Sequence, residues 1–491
     1  MKNKREKTKG ITLIALVITI IILLILAGVT ISTLSGDNGI IRRAVEAKER
    51  TNKENAEESI KMLLTEVQTD KFLGKDSFEN LLVNKVGKDN VEKNPDGTIS
   101  VKKDGYQVKV DSKGNQLTEA EKIVENIVDK SGASIPKIPV GVEVKFVDWD
   151  ESGNEIEASE LTYDYTNGKW ANIKTVSNGL EAYWVWIPRF EYKIPSGDID
   201  KMNPPQIDIK FINKDKKIPD LGYTIHKAFE FNGQQLDGIW VAKFEASSSI
   251  SGDEYGGGDR TDIKVQVRPT TTSWRKISTK NIFTVCRNMQ KGGVLGGTEG
   301  SENPNLNGHM MKNIEWGAVA ILSQSKYGVY NPKSSNGGKI WNNPDNKFYT
   351  GRVGEAQNSS ENKPTTIEEY NKGNGPKAST TGTIYGIYDM SGGSWEYVAG
   401  CLSGKIQDGF GTEATNIYVD EYQLDTEIKG DATKETAGWN SNTAVFINET
   451  DYIFRRGGSV GNSDSAGIFY YSGKSGNFEE YGSFRPVFIA Y

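Results

Sequence analysis

The hydrophobic pattern divides the chain into stretches of distinct texture. From Ile11 to Leu34 there is no charged residue. Those 24 residues, wound as a helix, span roughly 30 Å of hydrocarbon. "SGDNG" (35–39) then breaks or bends the helix, and Asp37 or Asn38 can cap a new one. Ile41, Val45, Ala56, Ile60, Leu63, Leu64 and Val67 recur near helical spacing among charged neighbours, which predicts a helix with one buried stripe. "GTISVKKDGYQVKVDSKGNQL" reads as short strands joined by glycine-containing turns. "TEAEKIVENIVDKSG" (118–132) predicts a connecting helix, and "ASIPKIPVG" an extended linker.

From about residue 140 the pattern turns strand-like, in "VEVKFVDW", "AYWVWIPRFEYKI" and "GIWVAKFEAS". In the second, Tyr183, Val185 and Ile187 fall on one side and Trp184 and Trp186 on the other. Long polar loops, 246–272 and 328–382, lie between such runs. Loops of that length are usually functional or decorative. One good helix is predicted in "MMKNIEWGAVAILSQSKYG", with Ile314, Ala318, Ile321 and Leu322 at helical spacing. The expected fold class is α+β: a transmembrane helix, a second helix with a small sheet, then a loop-rich domain.

Length and composition narrow this. The 491 residues allow two to four domains. The 53 glycines and 21 tyrosines favour turns and strands over long helices. With net charge −6 and no long basic block after the first ten residues, nucleic acid is excluded as an expected partner. Cys286 and Cys401 are the only cysteines, so there is no disulfide-rich scaffold and no cysteine-rich zinc site. One bridge or two buried thiols both fit. His226 and His309 are the only histidines, too few for a multi-histidine metal centre.

The first ten residues, "MKNKREKTKG", carry five basic residues and one acid. A basic flank stays in the cytoplasm, so the expected location is a membrane anchor with the C-terminal bulk outside the cell. The alternative is a secretory signal peptide, but the apolar run is long for one and no Ala-x-Ala site follows. "KGITLIALVITI" resembles a type IV prepilin leader. That resemblance implies cleavage by a prepilin peptidase after Gly10, leaving Ile11 as the new N-terminus, with other pilins as partners. Ala15 stands where the family usually has Glu, a departure that puts major-pilin behaviour in doubt and leaves a minor, pilin-like component or an uncleaved anchor.

Further along come "GIWVAKFEAS", "IEWGAVAIL", "GIYDMSGGSWEYV", "RRGGSV" and "GSFRPV". Together they resemble the formylglycine-generating (sulfatase-modifying) enzyme domain, a variant of the C-type lectin fold, in the family's order over 238–491. The resulting division is a basic leader 1–10, transmembrane helix 11–34, pilin-like helix and sheet 35–117, linker 118–139, a strand-rich part 140–237, and the lectin-like domain 238–491. Asp389, Trp395, Glu396, Arg456, Gly457, Gly458 and Arg485 are the motif residues. They are expected to be structural: glycines for tight turns, Trp395 for apolar bulk, the acids as acceptors of loop hydrogen bonds, and the arginines as forks onto carboxylates or carbonyls.

The family's oxidising members need a cysteine pair after Arg-Gly-Gly-Ser, and here that segment has none, so thiolate chemistry is not expected. The same segment is crowded with Asn462, Asp464, Tyr470, Tyr471, Ser472, Asn477, Phe478 and Tyr481. Tyr, Ser, Asn and Gly are the vocabulary of adaptable binding surfaces. The segment also resembles the variable C-termini of retroelement-diversified proteins; a fixed polar loop reads equally well. The expected function is a non-catalytic recognition protein, gripping a protein or glycan target through C-terminal loops. The alternatives are a structural pilin-like component and an enzyme on the same scaffold. No cofactor is expected; calcium stays open, because loop carboxylates are plentiful but form no Asp-x-Asp-x-Asp-Gly string.

Overall fold

The computed structural model describes residues 40–94, 96–103, 106–122, 129–250, 252–335, 338–354, 366–424 and 426–491. Two compact units divide the chain, Met1–Asn126 and Ile127–Tyr491.

In the first unit, a 33-residue helix, Ile40–Phe72, keeps charged side chains in every turn. Ala56, Ile60, Leu63, Leu64 and Val67 form its buried stripe. They pack with Phe78, Leu81 and Leu82 of the helix Phe78–Val86, and with Val101, Val108 and Val110 of a small sheet. Ser77 caps that second helix by accepting from the Asn80 N–H. The sheet is antiparallel, in the order Val91–Lys93, Ile99–Lys103, Tyr106–Val110 and Glu121–Lys122. The start of the expected connecting helix is therefore the last strand of this sheet. The middle of that helix, 123–128, lies outside the described residues.

The fold expectation needs correcting. The described residues are mostly sheet, with twenty-five strands against five α-helices. Among them no helix is long and apolar enough to cross a membrane, because the one long helix is charged along its length. That corrects the α+β chain with a transmembrane segment, and with it the membrane-anchored, cell-surface and pilin readings. The expected span 11–34, with Gly10 and Ile11, lies outside the described residues.

The second unit is built on a seven-stranded antiparallel sheet. Its order is Leu306–Met310, Pro486–Ala490, Gly238–Ala242, Leu180–Pro188, Asn172–Ser177, Glu143–Trp149, Glu155–Ala158. The last strand of the chain thus sits next to the outermost one and pairs Val487 with Val241. Strands from 140–237 and from 238–491 share one sheet, so the two expected parts of the head are one body. Alternation along 183–187 does not separate core from solvent, because Tyr183 to Ile187 are all buried. Trp184 meets Phe488 edge-on, and Trp186 tilts against Trp240. A strand covered on both faces reads as continuous hydrophobicity.

A second sheet carries the motifs. It runs Asp420–Tyr422, Trp395–Leu402, Ile453–Gly457, Gly467–Lys474, with Gly482–Phe484 parallel to Trp395–Tyr397. The helix Asn313–Ser323 is buried along its whole length. Gly317 lets the backbone of Gly430 and Asp431 approach it, where a Cβ would collide with the Gly430 carbonyl. Trp316 is fully buried, and its indole N–H donates to the Ile468 carbonyl at 2.8 Å. Trp316→Ala removes that bond and leaves a cavity. It is expected to cost about 3–5 kcal/mol in urea unfolding of the full chain, while the half-buried Trp395→Ala costs clearly less.

Candidate functional site

The motif residues converge where the two sheets meet. Arg485 is fully buried. Its Nε and Nη2 donate to the two carboxylate oxygens of Glu396 at 3.0 and 2.6 Å. Its Nη1 donates to the Ala242 carbonyl and Nη2 also to the Tyr388 carbonyl, both at 2.8 Å. Asp389 has a left-handed backbone, φ 63°. Its carboxylate accepts from the Gly351 N–H and from Asn343 Nδ2, each at 2.9 Å. Glu245 completes a buried trio, accepting from the Ser394 N–H at 2.8 Å. Burial pushes Glu396 up to about 7, Arg485 pulls it down, and Asp389 adds like-charge repulsion. Burial also raises Asp389 and Glu245.

Arg456, the cross-strand partner of Glu396 in the second sheet, plays the same part for another loop. It donates to Asn313 Oδ1 and to the carbonyls of Asp431 and Ala432, at 3.0–3.3 Å. The rings of Trp316 and Tyr471 lie 5.6 and 5.8 Å from its guanidinium carbon. Burial lowers it to about 10. Gly457 and Gly458 follow at φ 80° and 70°, where a side chain would be strained. A Cβ on Gly458 would also meet Ala466 at 2.8 Å. The loop that Arg456 holds is tied further by Glu435, whose Oε1 accepts from the Gly430 N–H at 2.7 Å and whose Oε2 accepts from the Tyr192 hydroxyl at 3.1 Å.

The expected binding residues separate into two groups. Tyr470 and Tyr471 are only 3% and 4% exposed, and Ser472 is buried with them in the strand Gly467–Lys474. Ser472 Oγ accepts from Arg455 and lies 3.3 Å from the Tyr470 hydroxyl. These three are core, which corrects their assignment as contact residues. The same Tyr–Ser–Gly composition serves a strand covered on both faces, and a retroelement acting there would alter the core. Asn462 is also engaged: its Oδ1 accepts from the Trp395 indole and from the Ser459 N–H, both at 2.8 Å. Asp464 and Asn477 are exposed. Phe478 and Tyr481 are 54% and 40% exposed.

Tyr481 is the member of this set with a built surrounding. Its ring stacks on Phe348, centroids 5.1 Å apart and planes 27° apart, and meets Trp395 edge-on at 6.1 Å. Arg455 lies over Trp395 at 4.2 Å and pairs with Glu479 at 3.0 Å. Arg275 lies over the Phe348 ring at 4.1 Å. Beside them opens a cavity of about 450 Å³, lined by Glu254, Thr272, Arg275, Phe348, Tyr349 and Tyr481 among others. Arg275, Phe348 and Tyr349 were missed by the sequence reading. Arg275 lies just past the loop 246–272, and Phe348 and Tyr349 lie inside the loop 328–382, whose only signal is its length.

The remaining reactive groups are committed elsewhere. Cys286 and Cys401 are free and buried. Burial pushes both thiols up, Cys401 to about 12, so neither is a thiolate nucleophile near neutral pH. Burial pushes His226 down to about 3. The ring is neutral, with Nε2 donating to the Gly430 carbonyl at 2.7 Å and Nδ1 accepting from the Ala228 N–H. His309 lies 3.0 Å from Glu315 and stacks on Phe231. Lys243 is fully buried, and burial lowers its pKa. Its Nζ nevertheless meets three acceptors, Asn172 Oδ1 and the carbonyls of Ile384 and Gly386, at 2.8–2.9 Å. Only the ammonium has three donors, so this lysine is a tie and not a nucleophile. Among the described residues no group of three or more His, Cys, Asp and Glu could hold a metal ion. A search of family models and of curated proteins finds no match to the chain.

The loop at 430–436 generates a pH prediction. Burial raises Asp431 to about 6 and Glu435 to about 7. The folded state therefore binds protons that the unfolded chain has already released. The resulting penalty grows from the usual glutamate value of 4.5 to about pH 7. Glu435→Gln is expected to flatten the fall in urea stability between pH 5 and 8. An unchanged pH slope would remove Glu435 as its source.

Proposed function

We propose that residues 127–491 form a non-catalytic recognition head. Its buried motif residues hold a scaffold, and its C-terminal rim grips a protein or glycan target. One observation carries this reading: Tyr481 is exposed yet held between Phe348 and Trp395 at the edge of a cavity. A large ring fixed in advance contributes contact area at little entropic cost on binding. Phe478, exposed three residues earlier, is the second anchor, and Asp464 and Asn477 supply polar contacts. The motif resemblance to the sulfatase-modifying domain supports the scaffold half of this reading. Its oxidase chemistry is disfavoured, because both thiols are buried and protonated.

The test is a ligand selection on the full chain, using a glycan array and a displayed peptide library. The double variant Phe478→Ala, Tyr481→Ala is expected to lose at least about tenfold in affinity, or 1.4 kcal/mol, with an unchanged melting temperature. Tyr470→Ala should behave oppositely, losing roughly 3 kcal/mol of stability as a buried aromatic. A selected ligand that binds the double variant as well as the parent chain would sink the proposal.

A further inference from the structure

The cavity beside Tyr481 has a lining that narrows its ligand, an inference that rests on the recognition reading. Arg275 is 3% exposed and forms the inner wall. Its Nη1 donates to the Glu480 carbonyl and its Nη2 to the Glu254 carbonyl, both at 2.7 Å. Its Nε has no partner. One guanidinium thus pins the backbones of Glu254 and Glu480, while their own carboxylates enter no ion pair among the described residues. Lys347 lines the same cavity, together with Asp253, Thr272 and Tyr349. The Tyr481 ring, backed by Phe348, is the flat apolar element at the mouth.

Charge decides between ligand classes. An anion entering here meets Asp253, Glu254 and Glu480. A cation meets Lys347 and the Arg275 guanidinium, which has no carboxylate paired to it. A neutral ring bearing several hydroxyls avoids both conflicts. Each hydroxyl donates to a carboxylate and accepts from an ammonium or guanidinium N–H, and the C–H face of the ring lies on the tyrosine. A cavity of about 450 Å³ falls in the size range of small-ligand pockets rather than of a flat protein interface. We propose that this cavity binds a neutral saccharide by direct contacts without a bridging metal ion. Tyr481 is the platform, and Glu254, Glu480 and Lys347 are the hydroxyl partners.

The test uses the full chain in EDTA with four probes: maltotetraose, cellotetraose, mannotetraose and chitotetraose. Saturation-transfer NMR and titration calorimetry read binding. At least one probe is expected to bind, with Tyr481→Ala weakening it by about tenfold or more. The double variant Glu254→Gln, Glu480→Gln should weaken it by severalfold, while Leu221→Ala, exposed and outside the cavity, leaves it unchanged. Melting curves of each variant separate lost contacts from lost folding. Failure of all four probes, or binding indifferent to Tyr481→Ala, overturns the saccharide assignment. If selected peptides still require Tyr481, the recognition reading stands without it; if no selected ligand of any kind requires Tyr481 or Phe478, both fall.

Discussion

The Arg485 fork is the constraint on which the head depends. Just before it, Gly482–Phe484 runs parallel to Trp395–Tyr397 in the second sheet; just after it, Pro486–Ala490 enters the seven-stranded sheet. The residue between them spends its guanidinium on a strand of each sheet and on the Tyr388 carbonyl. A buried guanidinium is costly unless its donors are paired. Here four N–H groups and the Glu396 carboxylate are arranged so that both sheets and the Tyr388–Met390 turn must be in place together. Removing either partner would leave an uncompensated buried charge, which is far worse than the loss of the pair.

The other buried cations extend the same solution to loops. Lys243 donates to carbonyls at 384 and 386, Arg456 to those at 431 and 432, Arg275 to those at 254 and 480, and Arg189 to those at 229 and 236. Irregular backbone has few ladder partners for its carbonyls, and a buried unpaired carbonyl is costly. Charged donors with several N–H groups pair them two at a time. This is how a domain of many short strands keeps long loops in fixed positions. Buried acids stand beside two of these cations, Glu396 at Arg485 and Asp431 at Arg456; burial raises their pKa values and the cations pull them back down.

This arrangement was partly legible in the chain. The stripe Ala56–Val67 announced its own burial because a helix repeats locally. Residue chemistry anticipated the forks of Arg456 and Arg485 and the loop amide taken by Asp389, but not that Glu396 would take the Arg485 guanidinium instead of a loop amide. Strand pairing between residues such as Val241 and Val487 could not be read, because no local period encodes a partner more than two hundred positions away. Tyr470 and Tyr471 misled for a related reason. An aromatic, small-residue segment looks the same whether one face is wet or both are covered, and only the neighbours at Arg455, Arg456 and Phe454 decide it.

Those inward tyrosines still shape the rim. Tyr470 and Ser472 engage each other and Arg455; Arg455 lies over Trp395 and pairs with Glu479; Trp395 abuts Tyr481. From the other side Arg275 braces Phe348, which backs Tyr481. The exposed ring is therefore the end of two buried chains of contacts. Freedom that an isolated surface tyrosine would lose on binding has already been lost on folding. A chain of short strands and long loops can in this way hold an exposed ring rigid, because its rigidity comes from cations and rings packed beneath the surface rather than from the loop that bears the ring.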